Sequence, residues 1–200
     1  MRFLLLVFFL LFSAVSQAQV SRAKMPSPPP APSYLNVYLL NPELRYERGN
    51  SQELEDRRPL NFALAYQAHK FTLLAEYARF TEDTGNSTSG IDRTHQDLVL
   101  WLRYHAFNFE AGNAKFIFYG AAGAGGYEEE VKTTLMGTSR TDKSSLQFMS
   151  GLGAGGEATM AVNKGFAFLA GLEGRALFAS DFDPNPVWSA IVRLGIQITL

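Results

Sequence analysis

The sequence predicts an all-β chain: an eight-stranded antiparallel up-and-down transmembrane β-barrel. Three observations carry that expectation. The stretch Trp188–Leu200 puts Trp188, Ala190, Val192, Leu194, Ile196, Ile198 and Leu200 on one face and Ser189, Ile191, Arg193, Gly195, Gln197 and Thr199 on the other. Residues alternate faces along a strand, so an almost wholly apolar face is backed by a mostly polar one, and no later segment covers it; lipid is the covering expected. Seven earlier stretches add further strands, and no convincing amphipathic helix interrupts them. The connections run long, short, long, short, as in barrels with long outer loops and short periplasmic turns.

The expected strands are 34–47, 58–69, 70–82, 94–109, 114–128, 145–162, 165–181 and 187–200. In the second, Leu60, Phe62, Leu64 and Tyr66 oppose Asn61, Ala63, Ala65 and Gln67. In the fourth, Leu98, Leu100, Leu102 and Tyr104 oppose Asp97, Val99, Trp101, Arg103 and His105. The seventh sets Phe166, Phe168, Ala170, Leu172, Ala176 and Phe178 against Ala167, Leu169, Glu173, Arg175 and Leu177. The first is the least regular, because Pro42 removes a ladder donor and implies a bulge or an early exit. Polar loops are expected at 48–57, 82–93 and 129–144, a shorter one at 181–186, and tight turns at His69-Lys70, Glu110–Asn113 and Val162–Gly165.

Ahead of the barrel domain at 34–200, two segments differ in composition. Arg2, the apolar run Phe3–Phe12 and Ser16-Gln17-Ala18 form a signal peptide, residues 1–18. Residues 19–33 end in Pro26-Ser-Pro-Pro-Pro-Ala-Pro-Ser33, an extended periplasmic tail that serves as a spacer or as a ligand for a proline-binding partner. The chain has no cysteine, which excludes disulfides and a lipidated N-terminal cysteine and fits an exported bacterial protein. Lys+Arg total 18 against 19 Asp+Glu, so no global field points to nucleic acid.

The terminal strand resembles the C-terminal assembly signal of bacterial outer-membrane proteins, ending in Leu200 where they usually end in Phe. The glycine-studded Tyr119–Tyr127 and Gly151–Glu157 resemble strands of the small OmpA/OmpX-type barrel family. The resemblance implies a bacterial outer-membrane location. Its implied partners are outer-membrane lipid and lipopolysaccharide, and the barrel-assembly machinery through the C-terminal strand. An extracellular ligand at the loops is a further expectation. One activity is not implied, since that family holds structural anchors and adhesins alike. With no wall-binding domain after the barrel, anchoring to peptidoglycan by that route is not expected.

Alternation alone also suits a soluble eight-stranded barrel with its apolar face inward. Charges confined to one face, and aromatics near strand ends, favour the membrane. Phe71, Phe116 and Phe166 are expected at one rim, with Tyr127, Phe178 and Trp188 at the other. The inward face then gathers Glu76, Arg103, Glu157, Glu173, Arg175 and Arg193 at mid-membrane depth as a structural charge cluster. Three acids and three bases can neutralise one another there, with Trp101 and Tyr119 filling more of the lumen.

Other motifs are weaker. Gly151–Gly156 matches GxGxxG but continues as strand rather than opening a helix, so no dinucleotide site is expected. With Gly120–Gly126 it makes room instead, letting a small barrel curve. His69, His95 and His105 lack partners at ligand spacing, so no metal and no cofactor is expected. The residues two places beyond each histidine are Phe71, Asp97 and Phe107, so the His-x-Ser pair of the lipid A deacylases is absent. The expected role is non-catalytic, in envelope structure or surface interaction. An adhesin or receptor, and a lipid A-modifying enzyme, are the alternatives.

Overall fold

A computed structural model of the chain describes residues 32–48, 54–57, 59–86, 89–182 and 184–200. The expected signal peptide, and 19–31 of the expected tail, lie outside these residues. Among the described residues there are eleven strands: β1 (Ser33–Leu40), β2 (Glu43–Arg48), β3 (Leu54–Arg57), β4 (Leu60–Ala68), β5 (Phe71–Asn86), β6 (Ser89–Ala111), β7 (Ala114–Leu135), β8 (Thr138–Lys143), β9 (Gln147–Asn163), β10 (Phe166–Phe178) and β11 (Val187–Thr199). No helix among the described residues is long and apolar enough to cross a membrane.

The wall runs β1-β4-β5-β6-β7-β9-β10-β11, and β1 pairs back on β11 to close it. Every pairing is antiparallel and joins strands adjacent in that order, with β1 on β11 as the closure, so this is an eight-stranded up-and-down barrel with no free edge around its girth. The period-2 pattern decides which side faces out. Leu172 is 62% exposed and its neighbour Glu173 is 0% exposed. The same contrast holds for Leu102 against Arg103 and Val192 against Arg193. A closed barrel with charges inside and an apolar belt outside is a transmembrane barrel, because water would leave that belt uncovered.

Pro42 breaks the first strand as its chemistry requires. β1 and β2 are separated at Asn41-Pro42, and the ladder slips between Tyr38 and Leu40. Asn41 Nδ2 bridges the gap, donating to the carbonyls of Tyr38 at 3.2 Å and Asn61 at 3.0 Å. Val192 N–H still finds the Pro42 carbonyl at 3.0 Å, so β11 stays paired across the break.

Two of the expected loops are corrected. A strand tilted near 45° needs about 9–11 residues to span the bilayer. β6 has 23 and β7 has 22, so roughly half of each projects beyond the belt. Residues 82–86 and 89–93 continue β5 and β6, while 129–135 and 138–143 form β7 and the added strand β8. These projections are polar on both faces and offer no alternation to read; cross-strand pairing with the rooted strands orders them. The 48–57 segment is described only at its ends, where β2 pairs with β3. Tyr127 is a further correction. Expected at the outer aromatic rim, it is buried inside the mouth, while Trp188 is exposed on the wall.

Candidate functional site in the charged lumen

Among the described residues, the lumen gathers a cluster of buried charged side chains. Glu76 comes from β5, Arg103 from β6, Glu157 from β9, Glu173 and Arg175 from β10, and Arg193 from β11; each is at most 6% exposed. Each occupies an inward position of its strand, and the register brings all six to one level. Arg175 grips Glu76 with both Nη atoms, at 2.5 Å and 2.7 Å, and reaches Glu173 through Nε at 2.5 Å. Arg193 contacts the same two carboxylates, Glu76 through Nη2 and Glu173 through Nε. Arg103 pairs with Glu173, and its Nη1 lies 3.8 Å from Glu157. Tyrosines supply the remaining donors: Tyr38 hydroxyl to Glu157 at 2.6 Å and Tyr119 hydroxyl to Glu173 at 2.9 Å.

Aromatic faces complete the packing. The Arg175 guanidinium lies 4.1 Å from the Trp101 ring centroid, and that of Arg103 lies 4.4 Å from Tyr119. Trp101 fits because β7 and β9 carry glycine beside it. A Cβ on Gly123 would meet the indole at 2.6 Å, and one on Gly151 at 2.5 Å. Gly123 is the register partner of both Trp101 and Gly151, so the two glycine runs form the slot for one ring.

Two further polar tiers flank the central one. Toward the projecting hairpins, Arg45 contacts Glu43 and Asp97 at 2.6 Å each. Asn61 and Ser189 also donate to Glu43, at 3.0 Å and 2.6 Å. Glu43 and Arg45 stand at i and i+2, a same-face signal, but Pro42 hid the direction of that face. Above them His95 stacks between Phe80 and Tyr127, with ring centroids 4.9 Å and 5.1 Å away, and Phe182 of the β10–β11 loop covers Tyr127. Toward the short turns, Gln197 Nε2 donates to Asn36 at 3.0 Å and to Gln67 at 3.2 Å. Thr72 and His105 form a 2.8 Å hydrogen bond nearby. His69 sits in the β4–β5 turn at φ 51°.

In the central tier every carboxylate contacts a guanidinium or a phenol hydroxyl. Among the described residues no group of three or more His, Asp or Glu is placed to hold a metal ion.

The chain has the fold of the small eight-stranded barrels. Its strand order and closure establish this. No protein-family model and no curated protein matches the sequence. Solved structures do. Neisserial surface protein A is 14% identical, covering 84% of this chain and 97% of that one, with a TM-score of 0.46. Ail, the attachment invasion locus protein of Yersinia pestis, is 16% identical over the same shares, also with a TM-score of 0.46. The N-terminal β-barrel domain of Pseudomonas aeruginosa OprF is 12% identical, covering 84% and 97%, with a TM-score of 0.40. At these identities the likeness is one of fold.

Proposed function

We propose that this chain is a non-catalytic bacterial outer-membrane protein whose lumen is a structural plug, and whose role is envelope structure or surface contact. The observation that carries the reading is the central tier. Its three buried arginines, Arg103, Arg175 and Arg193, with Arg45 in the tier beside it, lie inside a barrel whose eight strands leave room only for side chains. A conducting pore would need those groups on the wall with water between them. The outer face meets outer-membrane lipid and lipopolysaccharide, and the terminal strand is the segment the assembly machinery reads.

The test is conductance. Purified protein in planar bilayers should give no stable single-channel steps. Regular ion-conducting steps would overturn the plug and place the chain among porins.

Surface contact is favoured within this reading by the β7–β8 hairpin. Its tip presents Leu135 at 62% and Met136 at 88% exposure, and Met136 holds φ 52°, a costly conformation for a side chain of that size. Deleting 131–143 should leave the barrel folded and abolish binding of expressing cells to a surface that the wild-type cells bind. Unchanged lipid A acyl chains in cells overproducing the protein should accompany that result; altered chains would support the enzyme alternative.

A further inference from the structure

The end of the lumen that carries the short turns is open. There an open recess of about 300 Å³ enters between β7, β9, β10 and β11. It exists because the inward residues become small, Thr159 and Ala161 on β9 and Ala167 on β10, where Glu157 and Leu169 fill the level above. Gln197 closes the floor, its amide nitrogen committed to Asn36 and Gln67. A water occupies about 30 Å³ of bulk liquid, so the recess has room for roughly ten, or for one charged group on a small organic body.

Its polar lining is unlike the rest of the lumen. The arginines above all contact carboxylates. Lys115 and Lys164 line the recess, and neither has a carboxylate within ion-pair distance among the described residues. Glu110, which stands across the β6–β7 ladder from Lys115, is the sole acid in the lining, so two lysines face one carboxylate. Thr159 is 6% exposed, yet its hydroxyl has no hydrogen-bond partner. It stands directly across the ladder from Lys115. Asn163 commits its carbonyl oxygen to the Gly165 amide, at 2.9 Å, leaving its NH₂ uncommitted. A buried hydroxyl without a partner is unfavourable, and charges against a low-dielectric wall are weakly screened.

We propose that this recess is a binding site for a small anion bearing a carboxylate or phosphate group, held by Lys115 and Lys164 with the Thr159 hydroxyl as its buried donor. The anion supplies the counter-charge for the lysine excess, as carboxylates do for the arginines of the two charged tiers. It is either a soluble anion or the headgroup of an adjacent lipid. Both present the same acceptor oxygens.

The experiment uses the full barrel folded in zwitterionic micelles, so it does not depend on which compartment this mouth faces. Backbone amide resonances of Lys115, Thr159 and Lys164 are followed by NMR during titration with inorganic phosphate, glycerol 3-phosphate and acetate, against sodium chloride at matched ionic strength. Saturating shifts confined to this mouth are expected with the phosphates or acetate. They should vanish in K115Q/K164Q, and in T159V the affinity should fall roughly three- to tenfold, the loss of one hydrogen bond. Nanodiscs of phosphatidylcholine with and without phosphatidylglycerol form the second arm. Shifts that appear only with phosphatidylglycerol assign the site to a lipid headgroup. Shifts with the soluble phosphates assign it to a free anion. The proposal is overturned if no ligand gives saturation beyond the chloride control, or if K115Q/K164Q binds like the wild type while keeping a native spectrum.

Discussion

Replacing Arg175 with Ala is the sharpest test of how the lumen is held together. Arg175 is 2% exposed, makes two contacts to Glu76 at 2.5 Å and 2.7 Å, one to Glu173 at 2.5 Å, and covers the face of Trp101. Removing it leaves Glu76 with Arg193 alone, while Glu173 keeps Arg103, Arg193 and Tyr119. Breaking a buried pair on one side typically costs about 3–5 kcal/mol, because the surviving charge stays desolvated. Arg193 partly compensates Glu76, so the lower end applies, about 3 kcal/mol. The assay is equilibrium urea unfolding in lipid vesicles, followed by tryptophan fluorescence. A double-mutant cycle separates charge from packing. E76Q alone should also destabilise, and E76Q/R175M should recover most of the loss, since a neutral pair of similar volume strands no charge. If R175A unfolds within about 0.5 kcal/mol of the wild type, the range of an ordinary surface change, the ion network is not holding the barrel and the reasoning fails.

Other consequences follow from the same geometry. G151A should destabilise by about 1–3 kcal/mol, because its Cβ would sit 2.5 Å from the Trp101 ring. G120A, whose Cβ meets nothing within 4 Å, should be neutral or stabilising by thermal melting in micelles. Equal effects would mean that Trp101 does not occupy that slot. Introducing Asp at Ile198 and Leu200 puts charge on the lipid face of the closing strand, at a cost of up to a few kcal/mol depending on depth. Heat-modifiable barrel should then be lost from membranes, and a normal yield would count against the lipid-facing assignment. A single cysteine at Ser139, on the projecting β8, should label on intact cells with an impermeant maleimide, whereas one at Asn113, in the β6–β7 turn, should not. The opposite pattern would invert the topology.

The sequence by itself determined the side of the wall on which each residue of the rooted strands stands. A strand has period 2, so once Leu172 faces lipid, Glu173 and Arg175 face the axis. The same reasoning placed Trp101 and Tyr119 inward, and the missing N–H of Pro42 located the break in the first strand. Tertiary structure decided who meets whom. Glu76 and Arg175 are 99 residues apart, and only the register of β5 and β10 within a closed cylinder brings their heads together. Periodicity carries no information about level along the axis. The Glu43–Arg45–Asp97 tier escaped notice for that reason, compounded by the backbone break that precedes Glu43. The projecting hairpins escaped because strands wet on both faces show no hydrophobic alternation. Tyr127 was misplaced because an aromatic near a strand end suits either the rim or the mouth. Its position inside depends on His95 of β6, which stacks on it, and Phe182 of the β10–β11 loop, which packs against it.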